Sequence, residues 1–292
     1  MSLPVSNFAT ADLVAAARAW HMRQPRPILD DPYAQALCGP ALRCALRFRP
    51  LERFLFEVAV PGLLPVSMCV VMRARHAEQA LERAVQEEGI RQYVIIGAGM
   101  DSFGFRRADL LARIAAFEVD HPGTQKKKLE RIAKAGLRVL GNHHFVSADL
   151  SETAILEALA GTAFDMSQPT FFSLLGVAYY LTPAALAETA RSISHRMPAG
   201  TRLAVDYLLD EASSDPATRP LRERMVKFVE GRGEPLRSAY SLAEMAALMA
   251  GSGFRPVESF ALADLEGGYR EEFGAIPFPV PGMFGFGMFE VG

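Results

Sequence analysis

Cysteine is scarce in this chain: Cys38, Cys44 and Cys69 make an odd number, and no Cys-x-x-Cys pair occurs. That pattern excludes a disulfide framework and argues against a zinc site, so no metal is expected and a reducing, cytoplasmic setting fits. An excess of one charge is also missing. The formal net charge is -2, and no basic stripe interrupts the mixture, so neither nucleic acid nor another polyanion is an expected partner. The first twelve residues lack a basic segment followed by an apolar run, so they do not read as a secretory leader. A long apolar run is lacking too. Residues 58–72 carry no charge, but the stretch is too short to span a bilayer and Pro61, Gly62 and Pro65 interrupt it. It reads as a buried, bent core segment, the alternative being an apolar cap over a substrate pocket. No membrane partner is expected.

What is present is a core-forming pattern, with half of the residues hydrophobic. Residues 10–20 have helical spacing with Thr10 as the cap, and a Pro-rich loop follows at 25–32. Residues 76–88 are rich in Ala, Glu, Gln and Leu and predict a helix, with Gly89 where a terminator belongs. Short apolar runs then recur at 93–96, 115–119, 145–148, 170–175 and 203–205, with helical stretches at 126–135, 152–160 and 183–195 between them. Strands alternating with helices imply a parallel sheet covered on both faces. Three of those runs end in an acid, Asp120, Asp149 and Asp206, at the edge where such sheets bind ligands. Later, Ser241 and Glu244 predict a capped helix over 241–250, strands follow at 256–262 and 284–291, and 210–237 reads as a surface insertion. The chain is read as a single domain over 1–292: a helical cap (1–75), a Rossmann-like core (76–209), and an insertion with C-terminal strands (210–292).

The first strand runs directly into Gly97-Ala98-Gly99-Met100-Asp101. Glycines there let the chain turn sharply and let a ligand approach the backbone. Asp120, 23 positions after Gly97, has the separation of a carboxylate that grips ribose hydroxyls. A dinucleotide fingerprint needs a third glycine where Ser102 stands, and the Asp101 carboxylate would repel a pyrophosphate. A phosphate-free, cationic ligand is favoured instead, which points to S-adenosylmethionine over a nicotinamide. Asp149 with Leu150 could hold and cover an adenine. Asp149 could equally cap the following helix, with Ser151 beside it.

Three motifs make the pattern specific: Met72-Arg73-Ala74-Arg75, Val94-Ile95-Ile96-Gly97-Ala98-Gly99-Met100-Asp101-Ser102 and Phe117-Glu118-Val119-Asp120-His121-Pro122. Together with Gly176-Val177-Ala178-Tyr179-Tyr180-Leu181-Thr182-Pro183, they resemble the leucine carboxyl methyltransferase family, over residues 12–206 and more loosely beyond. The resemblance implies a class I methyltransferase fold: a mostly parallel Rossmann-like sheet with an antiparallel last strand, helices on both faces and an N-terminal helical cap. It also implies S-adenosylmethionine as donor and S-adenosylhomocysteine as product. By motif match Arg75 would grip the donor's carboxylate, with Arg73 the alternative. The Gly97-Ala98-Gly99 loop would contact the methionine part, Asp120 the ribose, and Asp149 with Leu150 the adenine. Eukaryotic members carry a Glu that binds the donor's amino group where this chain has Leu175, which would leave that group to backbone carbonyls near Gly97 or to Asp101.

The remaining polar residues sort by position. His121 follows Asp120 and could line the donor pocket or simply sit in a helix-entry turn; it, Tyr179 and Tyr180 are the catalytic candidates. His143 and His144 fall at the wrong edge of the sheet and read as structural, and Lys126-Lys127-Lys128 reads as a solvated helix face. The expected reaction is direct in-line displacement onto a small-molecule acceptor. A carboxylate acceptor needs no base at neutral pH, whereas a hydroxyl would need one such as His121. Family resemblance and the missing base favour a carboxylate. The alternatives are a non-enzymatic S-adenosylmethionine-binding relative and a nicotinamide-dependent oxidoreductase. The acceptor pocket is expected from 58–72 and 210–237, and no pattern sets the oligomeric state.

Overall fold

The computed structural model describes residues 10–60 and 62–292. Most of the segment examined for a leader, and Pro61, lie outside these residues. Seven strands form one sheet: β1 (Gln92–Ile96), β2 (Ala115–Asp120), β3 (His143–Ser147), β4 (Thr170–Leu174), β5 (Arg202–Leu208), β6 (Phe254–Ala261) and β7 (Phe284–Val291). Their order is β3-β2-β1-β4-β5-β7-β6, with β7 antiparallel to both neighbours and the first five strands parallel. The short apolar runs form strands because both faces of each are buried: Tyr93 and Ile95 join one core cluster, Val94 and Ile96 the other. The helix Leu63–Glu87 covers the first face; Pro183–Arg196 and Leu242–Ala250 cover the second. The chain leaves β1 for β2 and β3 on one side and returns to β4 on the other. The sheet's switch point therefore lies at the carboxyl end of β1.

The helix predicted from residue 76 begins much earlier. It runs Leu63–Glu87 from Gly62, whose φ of +101° turns the chain into it. Pro65 falls in the first turn, where backbone N–H groups are free, so it does not break the helix. The boundary drawn at residue 75 thus falls inside a continuous helix. Before it, Arg49–Phe54 passes into a π-helical turn, Leu55–Ala59, and this arm meets the helix Leu63–Glu87 at a bend of 97°. Met68 to Met72 are buried, as expected of a core segment. Among the described residues no single helix is long and apolar enough to cross a membrane.

Three local expectations are corrected. The Thr10 hydroxyl hydrogen-bonds the Glu234 carboxylate across the fold instead of being engaged as a local cap. Asp206 does not end its strand; β5 continues to Leu208 and leaves Asp206 buried in mid-strand. Lys128 is not on a solvated face. Its ammonium is fully buried and pairs with Glu118 of β2, whose other oxygen lies 2.8 Å from His143 Nε2. Gly104 makes room for this triad, since a Cβ there would lie 2.1 Å from the His143 ring. The capping box between Ser241 and Glu244 is formed as the sequence predicts.

Candidate active site

The loop after β1 turns through Gly97 and Gly99, at φ +70° and +54°. A side chain at Gly97 would also strike Val177, 2.5 Å from the Cβ position. Asp120 fixes this loop. One of its oxygens accepts from the Gly99 N–H and the other from the His121 N–H at 2.7 Å. Burial raises its pKa above the usual carboxylate value. Each oxygen keeps a lone pair directed away from the backbone, which suits it to accept from hydroxyls.

Asp101 is held by a buried charge network. Its carboxylate accepts from the Phe103 N–H at 2.6 Å and from Arg18 at 2.9 Å, with Arg106 3.7 Å away. Burial alone would raise its pKa, but the two guanidiniums outweigh that and hold the carboxyl well below its usual range. Arg106 is also clamped by Glu78 at 2.6 and 2.9 Å, and Asp31 lies 3.7–3.8 Å from both arginines. Three carboxylates thus meet two guanidiniums, leaving the floor of the loop without excess positive charge. This disfavours a phosphate there and suits a cationic ligand.

Arg73 and Arg75 part company because two residues along a helix are about 200° apart. Arg73 faces inward: its Nη1 pairs with Asp206 and lies 3.5 Å from the Tyr179 hydroxyl. The guanidinium lies against Gly176, where a Cβ would sit 2.6 Å from Nη2. Arg75 faces away, pairs with Glu272 at 3.4 Å and lies over the Phe273 ring. Of the two arginines offered for the donor's carboxylate, Arg73 lines the cleft and Arg75 does not.

Three chambers share walls at the switch point. One of about 270 Å³ is lined by residues 97–101, Asp120, Arg73, Leu175 and Glu234. Through Gly97, Asp120 and Tyr180 it adjoins a groove of about 560 Å³ lined by His121, Asp149 and Leu150. Through Thr10, Arg73, Tyr179 and Tyr180 it adjoins an apolar cavity of about 380 Å³. The apolar cavity is walled by Leu63, Val66 and Val70 on one side and by Leu221, Met225 and Phe228 on the other. Both segments expected to form an acceptor pocket therefore contribute. The stretch 58–72 is core and cavity wall at once, and the insertion 210–237 forms the helix Arg219–Glu230 over it.

His121 and Asp149 sit at the exposed end of the groove. His121 Nδ1 accepts from the Gly123 N–H at 3.1 Å and so caps Pro122–Ala135, while its Nε2 lies 3.8 Å from Asp149. Asp149 Oδ1 accepts from the Ser151 N–H and hydroxyl at 3.0 and 2.6 Å, forming a turn before the helix Ile155–Leu159. Two residues of the site carried no signal that singled them out: Arg18 read only as part of a helical stretch, and Glu234 lay in a charged insertion with nothing local to mark it. Asp206 was marked as an acid at the ligand edge, but its pairing with Arg73 was not.

With this geometry in view, the profile of the family described as leucine carboxyl methyltransferase matches residues 11–194. The chain belongs to the leucine carboxyl methyltransferase family. It is 30% identical over 272 residues to YktD of Bacillus subtilis, provisionally named as an S-adenosyl-L-methionine-dependent methyltransferase, covering 88% of this chain and 89% of YktD. Among solved structures it is similar to a DUF574 family protein from Streptomyces avermitilis: TM-score 0.65, 14% identity, 97% of each chain. It is also similar to a Thermobifida fusca protein, provisionally described as a methyltransferase: TM-score 0.64, 16% identity, 99% of this chain and 97% of that one. These two likenesses establish the fold as that of class I methyltransferases. As a member of the family the protein is an S-adenosylmethionine-dependent methyltransferase, and the oxidoreductase alternative is set aside.

Proposed function

We propose that the protein transfers a methyl group to the carboxylate of a small molecule. One observation carries the choice of acceptor atom. Among the described residues, the apolar cavity that adjoins the chamber of residues 97–101 is lined by no Asp, Glu or His, while Arg224 and Lys227, neither paired with a carboxylate, line it. A carboxylate, ionised at neutral pH, needs no base and is attracted by those cations. Tyr180 is a poor substitute base because burial pushes its hydroxyl pKa up. His121 belongs to the groove on the far side of Asp120.

S-adenosylmethionine, when bound, supplies a methyl group on a positively charged sulfur. Asp120 holds the ribose hydroxyls, Asp149 and Leu150 hold and cover the adenine, and the Gly97-Ala98-Gly99 turn admits the methionine chain. Arg73, of whose guanidinium only Nη1 is engaged by Asp206 and Tyr179, grips the methionine carboxylate. Glu234 lines the same chamber as Leu175 and supplies the acidic contact for the amino group that Leu175 lacks. Asp101, already paired with Arg18, holds the loop in shape. The chain's own contribution to rate is positioning, worth about 7–11 kcal/mol where reacting atoms are well aligned.

Transfer of a labelled methyl group into a pool of small carboxylic acids tests this. The expected product is an ester that mild base cleaves to labelled methanol, formed with a kcat/KM that stays flat above about pH 6. Label that survives base, as in an ether or methylamine, would overturn the carboxylate assignment.

Glu234 is testable separately. Glu234→Gln is expected to weaken binding of S-adenosylmethionine and S-adenosylhomocysteine about tenfold, the scale of one charge-assisted hydrogen bond. Methylthioadenosine, which lacks the α-amino group of the methionine part, should bind wild type and variant alike. Equal affinities for all three ligands would remove Glu234 from the site.

A further inference from the structure

We infer that the acceptor is a monocarboxylic acid with an apolar aliphatic or aryl-aliphatic body, seated in the cavity between the helix Leu63–Glu87 and the helix Arg219–Glu230. The identity of the polar end rests on the carboxylate reading above; the apolar body rests on the cavity itself.

The walls are Val66, Val70, Leu221, Met225, Phe228 and Phe284, drawn from three separate parts of the chain. At about 380 Å³ the cavity is at the small end of the range for ligand sites, which suits one chain or one ring and not a bulky conjugate. Where it meets the chamber at residues 97–101 the lining turns polar through Thr10, Arg73, Tyr179 and Tyr180. The acceptor's polar end points there, because a polar group set against the apolar walls would be buried without a partner. A peptide C-terminus fits poorly for the same reason, since each of its amides would need a partner that these walls do not offer.

Charge on the covering helix favours an acid over a neutral lipid. Lys227 and Arg224 both line the cavity from exposed positions: the Lys227 ammonium has no hydrogen bond or ion pair among the described residues, and the Arg224 guanidinium bonds only the Pro220 carbonyl, at 3.1 Å. Two exposed cations unpaired with any carboxylate, beside a largely apolar cavity, draw an anionic amphiphile toward it and so favour an acid over a neutral molecule. In the reaction a carboxylate oxygen forms the new O–CH3 bond as the C–S bond breaks. The electron pair leaves with sulfur, no proton moves, and the products are a methyl ester and S-adenosylhomocysteine.

The test is a chain-length series of saturated monocarboxylic acids, with α,ω-dicarboxylic acids, C-terminal leucyl peptides and primary alcohols of matching length. Methyl products are measured with S-adenosylmethionine and the full-length protein. In parallel, dodecanoate binding is measured by calorimetry on protein loaded with S-adenosylhomocysteine. The expectation is a kcat/KM that rises about fourfold per methylene until the cavity is full. Peptides, and dicarboxylic acids too short for the second carboxylate to reach Lys227 or Arg224, should fall at least about 100-fold below the best monoacid, since each buries an unpaired polar group. Met225→Glu should lower kcat/KM for the best acid at least about 30-fold and weaken dodecanoate binding, with S-adenosylhomocysteine affinity unchanged. A flat chain-length profile, equal use of short dicarboxylic acids or peptides, or no dodecanoate binding to the loaded protein would overturn the apolar acceptor. Chain-length-dependent methylation of alcohols in place of acids would leave the apolar body standing and overturn only the carboxylate.

Discussion

Replacing Asp120 with alanine is expected to weaken S-adenosylmethionine binding roughly 100-fold. The carboxylate does two things at once. In its proposed role it offers two charged acceptors to ribose hydroxyls, each such hydrogen bond being worth about 1.5–3 kcal/mol. It also bridges the N–H groups of Gly99 and His121, and so fixes the turn on which the methionine chain would rest. Calorimetric titration with S-adenosylmethionine and S-adenosylhomocysteine should show both affinities falling together, while NADH binds neither form. Asp120→Asn keeps one acceptor and should lose less. Affinity within a few-fold of wild type in a folded Asp120→Ala protein would move the ribose contact elsewhere.

The largest loss of stability should come from a residue outside the cleft. Lys128→Met removes the ammonium from a fully buried triad and leaves the Glu118 carboxylate with His143 alone. Breaking a buried pair from one side costs about 3–5 kcal/mol, because the remaining charge keeps its desolvation penalty. Removing both partners, as in Glu118→Leu with Lys128→Leu, should restore much of that, since apolar side chains of similar volume carry no such penalty. Urea unfolding of the single and double variants measures both. A single variant within about 1 kcal/mol of wild type would mean that Lys128 reaches water. The charge of Lys128 also bears on Asp101 and Asp120, favouring their ionised forms. Some loss of donor affinity should therefore accompany the loss of stability.

What the sequence could and could not reveal follows from the range of the forces involved. The core strands were legible because burial on both faces demands short apolar runs, and Gly97, Gly99 and Asp120 were legible because a sharp turn and a strand end leave local marks. The start of the helix at Leu63 was not, since a charge-free stretch with two prolines resembles a break until Pro65 is seen to occupy the permissive first turn. Lys126 and Lys127 conform to a solvated face. Lys128 does not, and nothing in its neighbours along the chain reports the Glu118 carboxylate beneath it. The choice between Arg73 and Arg75 needed the helix phase relative to β5, which is tertiary information. Glu234 is the extreme case: its place in the cleft depends on a partner 224 positions away, Thr10.

The helix Arg219–Glu230 belongs to a stretch inserted between β5 and the helix Leu242–Ala250, while the residues proposed for the donor, Glu234 apart, come from elsewhere in the chain. The two binding tasks are thus written in largely separable passages of sequence. Drift or recombination confined to this one passage would retarget the enzyme to new acceptors while leaving its methyl supply almost untouched. In relatives of this chain, the length and composition of that passage should track substrate diversity more closely than overall identity does.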